Sequence, residues 1–277
     1  MFKRVRSELL RNPMLGVLLA ILFVLTVLAV FPSLGTSVDP SLMSVQTLSA
    51  PSMQHIFGTD ELGRDVYAMM IYGTRVSMAI GATAACIAVF LGVVAGCLAG
   101  FYGGLLDRLL VAVSEFFQVM PTFIIAAVIV ALSGAGVTQV VIVIALLAWP
   151  KIARVIRGEV MRVRELEYVS FLRCLGKGRL SILFFDILPN AVSPVIPLAA
   201  LVVGQAIMLE ASLSFVGLNS IDTMTWGKLL NSGQRFIYNA WWLSIFPGLA
   251  LLITILCFNL VGDAVIKHLD PRTQYDA

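Results

Sequence analysis

The stretch Val76-SMAIGATAACIAVFLGVVAGCLA-Gly100 runs for 25 residues without a charge. An uncharged apolar run of about 20 residues is enough to cross the hydrocarbon core of a bilayer as a helix. Small residues recur through it, and Gly92 and Gly96 form a GxxxG pair of the kind that lets two helices approach closely. Similar pairs occur in many polytopic proteins, so spacing alone leaves open a specific contact or none.

Five more runs of this kind flank it. The six candidate spans are Met14–Leu34, Val76–Gly100, Leu109–Leu132, Val137–Ala153, Ala191–Leu209 and Trp241–Val261. The fourth is short and is expected to begin within the Gly134–Gly136 turn. The composition agrees with this reading. Hydrophobic residues make up 59% of the 277 and charged residues 13%, about half the charged share of a soluble domain. That composition excludes a disordered chain and argues strongly against a soluble globular domain. The expected fold class is an all-α membrane protein of six transmembrane helices.

The basic residues set the expected orientation. With the N-terminus in the cytoplasm, fifteen of the 19 Lys and Arg fall on the cytoplasmic side and four, Arg64, Arg75, Lys228 and Arg235, on the other. Positive residues accumulate in cytoplasmic loops, so both termini are expected inside. Residues 1–13 then form a cytoplasmic N-terminal segment, and residues 14–277 one membrane domain with a basic cytoplasmic loop at 154–190. The first span follows a basic segment as a signal peptide would. It exceeds the usual 7–15-residue apolar core of one and lacks a clear small-residue cleavage site, so it is expected to be retained.

Catalytic signals are weak. No GxxxxGK[ST] phosphate loop, GxSxG elbow or HExxH motif occurs. The two histidines, His55 and His268, lie far apart and outside every span, which removes a Ser-His dyad at membrane depth. Cys86, Cys97, Cys174 and Cys257 show no CxxC spacing, and small buried hydrophobes are the expected reading. The net charge of +3 does not point to nucleic acid. No catalytic, cofactor-binding or metal-binding residue is expected in this chain.

Two acids stand within or at the end of apolar spans. Glu115 falls about 12 Å along the helix from Asp107, and Glu210 closes the fifth span. Each either faces the bundle interior or water, or lies at an interface. Both are candidate pathway residues, Glu210 near an external gate.

The loop RELEYVSFLRCLGKGRLSILFFDILPN (Arg164–Asn190) carries the most information. Leu166, Val169, Leu172 and Leu175 recur every three residues as one apolar stripe, with Arg173 and other charges around it. Gly176-Lys177-Gly178 should end that helix through a left-handed cap. A second short helix is expected from Arg179 to Ile187, ahead of Pro189-Asn190. The first helix can lie on the bilayer or sit in another protein's groove, and periodicity does not choose.

That loop resembles the cytoplasmic loop of ATP-binding-cassette importer permeases, whose pattern is E-A-A, three residues, G, nine residues, I-x-L-P. Gly176, Leu188 and Pro189 match it. Ser170-Phe171-Leu172 replace E-A-A, and Asp186 stands at the I position. Phe57–Val66, Tyr72–Gly81, Glu210–Leu218, Trp226-Gly227, Phe246–Leu251 and Phe258–Pro271 resemble blocks of dipeptide, oligopeptide and nickel permeases, collinear over nearly the whole chain. The resemblance implies type I permease architecture in a bacterial inner membrane and movement of small peptides or related solutes by alternating access. A nickel or metal-chelate cargo is the alternative. An ion-gradient-driven carrier is the rival of another class, without the midplane charges and inverted repeats it would call for. The implied partners are a paired homologous permease, an extracytoplasmic solute-binding protein and two ATPase subunits, which would hold the ATP and Mg. The implied coupling residues are Leu166, Tyr168, Val169, Leu172, Arg173, Leu175, Gly176, Leu188 and Pro189. Gly58-Thr59-Asp60 and Gly63 are read as turn and cap residues that start the second helix, in preference to direct solute contact.

Overall fold

The computed structural model describes residues 13–134, 136–218 and 223–269. The basic segment with Lys3, Arg4, Arg6 and Arg11, and the C-terminal stretch with Pro271 and Arg272, lie outside the described residues.

The main helices follow one another in chain order. They are α1 (Pro13–Val30), α2 (Val66–Tyr102), α3 (Gly104–Val119), α4 (Thr122–Ser133), α5 (Val137–Arg164) and α6 (Glu167–Cys174). Three abutting pieces, Arg179–Ser181, Ile182–Ile187 and Leu188–Ala191, make up α7. Then come α8 (Val195–Phe215), α9 (Trp226–Gln234) and α10 (Trp242–Leu269). No strand occurs among the described residues. Five helices, α1, α2, α5, α8 and α10, are long and apolar enough to cross a membrane, and α3 with α4 supplies a sixth passage if the bent pair is one span.

That bend corrects the third expected span. Leu109–Leu132 is not one rod: α3 and α4 meet at 91° across Met120-Pro121. Proline clashes with a helical residue before it, and Met120 accordingly sits in extended backbone at φ −81° and ψ 144°. The fourth span is corrected too. It starts at Val137 but continues through its basic residues to Arg164, because Lys and Arg are good helix formers and charge does not end a helix. The loop at the basic end therefore begins in earnest at Glu165.

The backbone of the bundle is α2 against α5. Gly92, Gly96 and Gly100 fall on one face of α2 and let it lie directly on α5. A Cβ on Gly96 would come within 2.5 Å of the Ala153 carbonyl, and one on Gly92 within 2.6 Å of Ile152. The GxxxG pair is thus a specific helix contact. Two ties lock the basic end. Arg157 pairs with Asp107 at the start of α3. Arg164 donates to the Gly100 and Phe101 carbonyls, 3.1 and 3.0 Å away, which satisfies groups left open at the end of α2.

The far end is a cap built from 35–65, α9 and the outer turns of α2 and α10, around Val66, Met69, Leu229, Trp242 and Leu243. Here the Phe57–Val66 block acts as turn and cap. Gly58 and Gly63 adopt φ +76° and +72°, which glycine tolerates best. The Asp60 carboxylate accepts from the Leu62 and Arg64 amides and the Arg64 side chain. Asp65 caps α2 by accepting from the Ala68 amide at 2.8 Å and also holds His55. By contrast α1 buries none of its residues and packs mainly along α2 and α10.

Candidate functional site

The first candidate site is the α6–α7 hairpin beyond the basic end of the bundle. Its turn forms as the glycines predict. Gly176 takes φ +76°, the Gly176 amide donates to Arg173 O at 3.0 Å, and the Lys177 amide donates back to Leu172 O at 3.2 Å. This double closure satisfies the last carbonyls of α6. In α7 the ladder widens to a π turn over Ile182–Ile187. Pro189, having no N–H, cannot continue the regular ladder back to Phe185.

The stripe of four apolar residues does not form one outward face. Val169 is fully buried against Ile182, Leu183 and Ile187, and Leu172 packs beside it. Residues three apart drift by about 60° per step around a helix of 3.6 residues per turn. Leu166 and Leu175, at the two ends, are therefore exposed with Tyr168 and Phe171, as are Leu180, Phe184 and Phe185 on α7. Phe171 is 64% and Leu175 65% exposed. Leu188 packs against the core, whereas Pro189 and Arg173 are exposed.

Asp186 holds the hairpin closed. Its carboxylate accepts from Lys177 Nζ at 2.6 Å. Its carbonyl accepts from the Tyr168 hydroxyl at 3.1 Å and the Asn190 amide at 2.8 Å.

The second candidate region is polar and lies within the bundle. Glu210 is 1% exposed, enclosed by α2, α8 and the start of α9. It accepts from Ser214 Oγ at 2.6 Å and Ser77 Oγ at 3.4 Å, and Thr225 also hydrogen-bonds it. Ser77 in turn accepts from the Trp226 amide, and Trp226 Nε1 donates to Met70 O at 3.2 Å. Glu115 is exposed instead. With Ser114, Gly96, Ala99, Arg154 and Arg157 it lines a cavity of about 270 Å³ between α2, α3 and α5. The two acids are therefore not brought together. No group of three or more His, Cys, Asp or Glu side chains is gathered among the described residues.

The signature of binding-protein-dependent transport system inner membrane components matches residues 92–275, from mid-α2 through α10. The chain belongs to this family. The permease is thus a multi-pass inner-membrane component of an ABC importer. It is 34% identical to the dipeptide transport system permease protein of Alkalihalophilus pseudofirmus, over 96% of this chain and 88% of that one. It is 36% identical to the glutathione transport system permease protein of Pectobacterium atrosepticum, over 80% and 74%. In fold it is similar to a chain from the inward-facing MetNI methionine ABC transporter, with a TM-score of 0.59 and 19% identity over 73% of this chain and 96% of that one.

Family membership gives Asp186 its interest, because the permease departs from the I-x-L-P pattern there and uses the departure for an ion pair. Sequence reasoning passed over Lys177 and Asp186 as partners. Opposite charges nine residues apart across a glycine turn are the signal that was available. Ser77 had none, since it meets Glu210 from 133 positions away.

Proposed function

We propose that the permease forms half of the pathway of an importer for peptides or peptide-like solutes, with the α6–α7 hairpin as its coupling element. The exposed apolar surface of that hairpin carries the proposal. Leu166, Phe171 and Leu175 lie beyond the spans at the basic end, where the bundle offers them no cover. A protein groove would remove them from water at about 1.5–3 kcal/mol per large side chain. The basic end is cytoplasmic, as the distribution of Lys and Arg supports, and both termini lie on that side. Two ATPase subunits dock there and hold the ATP and Mg; this chain carries out no reaction. A second permease completes the pathway, and an extracytoplasmic binding protein delivers the solute. Movement of the hairpin reaches the spans through Val169 and the α5–α7 core. The peptide class rests on relatives named for dipeptide and glutathione transport.

The test uses the assembled complex. Phe171→Asp with Leu175→Asp removes two exposed apolar contacts, so ATPase binding should weaken by well over tenfold, at about 1.4 kcal/mol per decade. Insertion and pairing with the other permease should persist. Co-purification of the ATPases with this double variant, with normal solute-stimulated hydrolysis, would sink the coupling assignment.

A further inference from the structure

Lys151 occupies an unusual place. It lies about 21 Å along α5 from Val137 and about 9 Å before Arg157, the residue paired with Asp107 at the basic end. That puts it inside the apolar thickness of a bilayer of about 30 Å. Its side chain does not run along the helix toward water. It turns sideways, and Nζ donates to Gln205 Oε1 on α8 at 2.9 Å. Gln205 is itself about 15 Å into α8, after ten residues without a polar side chain. Both side chains are exposed in this chain.

The exposed edge of α5 changes character at this point. Ile142 and Leu146 are exposed on its outer half, and Lys151 and Arg154 on its inner half. Arg154 opens into the cavity that Glu115 lines from α3. Gln205, Lys151, Arg154 and Glu115 thus form a polar band across α8, α5 and α3. Among the described residues Lys151, Arg154 and Glu115 make no ion pair. A charged group at such depth is costly against lipid and faces water or a partner. Gln205 is neutral, so it fixes the direction of Lys151 without cancelling its charge.

We infer that Lys151, aimed by Gln205, lines the solute pathway and supplies the cation that meets a carboxylate of the passing solute. This rests on the reading of the chain as half of a peptide pathway. A carboxylate would replace the neutral acceptor at Nζ with an anionic one and so pair the charge that Gln205 leaves uncancelled. Gln205 can reclaim Nζ afterwards, so the contact stays weak enough for the solute to leave. The cation favours solutes that carry a free acid over those that offer only neutral acceptors, which makes it a selectivity element.

The experiment uses the complete complex in proteoliposomes, with di- and tripeptides as probes. In a Cys86→Ser, Cys174→Ser background, Lys151→Cys should react with an anionic membrane-impermeant thiosulfonate, and saturating peptide should slow the reaction. Lys151→Gln should lower peptide uptake at least tenfold while the ATPases stay bound, and Lys151→Arg should keep most of it. Absence of labelling in every nucleotide state would mean that lipid or the paired permease covers Lys151, and would overturn the assignment. Labelling that peptide does not slow, or wild-type uptake by Lys151→Gln, overturns the carboxylate role alone. A wild-type complex that keeps its ATPases but moves no peptide overturns the peptide reading, and the carboxylate role falls with it.

Discussion

Glu210 illustrates how a single buried acid can organise three helices. Its carboxylate collects hydroxyls from α2, α8 and the N-cap of α9, so removing it orphans several buried donors. Glu210→Ala should cost about 1–3 kcal/mol for each hydroxyl left unmatched. Glu210→Gln keeps an acceptor and should cost less. Thermal unfolding of the detergent-solubilised complex separates the two, and equal losses would remove the hydrogen-bond account. Contact between Glu210 and a solute would further require α2, α8 and α9 to part, so a transport defect in Glu210→Gln should come without loss of the resting fold. Gly176 isolates a different quantity. No atom lies within 4 Å of the Cβ it lacks, so only its φ of +76° resists substitution. Gly176→Ala should therefore cost about 1–2 kcal/mol of local helix-end stability, and Gly176→Asn less. Hydrogen exchange at Gly176 and Lys177 reads this directly; identical protection in all three chains would refute it.

At the scale of elements, α6 has two faces with different tasks. Val169 belongs to the core of its own chain, fully buried with Ile182, Leu183 and Ile187. Val169→Asp should therefore lower the yield of folded permease, since an unpaired buried charge is strongly unfavourable. Phe171→Asp should not, and the pair of variants tells the inner face from the outer by expression and size-exclusion alone. Equal behaviour of the two would contradict this division. The α2–α5 seam makes a matching prediction. Gly96→Leu forces side-chain atoms into the Ala153 carbonyl, an overpacking cost of about 1–3 kcal/mol or more. Gly104→Leu, with nothing within 4 Å, carries only its backbone strain. A cysteine crosslink between α2 and α5 should lose efficiency in the first variant only.

At the scale of the whole molecule, the described residues form a bundle with an exposed knob, a folded cap at the opposite end and a first helix that buries nothing of its own. A single cysteine at Ser44, in the cap, should react with an impermeant thiol reagent from outside intact cells, and one at Gly178 should not. Labelling of Gly178 in sealed right-side-out cells would reverse the proposed orientation.

Much of this architecture is local in origin and so was legible in the chain. Apolar runs of bilayer length mark the spans because each helix satisfies its own backbone bonds and needs no partner to be recognised. Gly176 and the glycines of the Phe57–Val66 block announce their turns because the conformation is a property of the residue itself. The bend at Pro121 was written in the Met120-Pro121 pair, although hydropathy averaged over a window smooths it away. What the sequence could not decide was which side of an element meets what. The stripe on α6 splits between core and surface because α7 folds back over Val169, and periodicity of three says nothing of a neighbour. Glu210 is interior because Ser77 and Thr225 arrive from other helices, and Lys151 is aimed because Gln205 stands across the gap on α8. These are contacts between residues remote in sequence, made by packing, and only the tertiary structure brings them together.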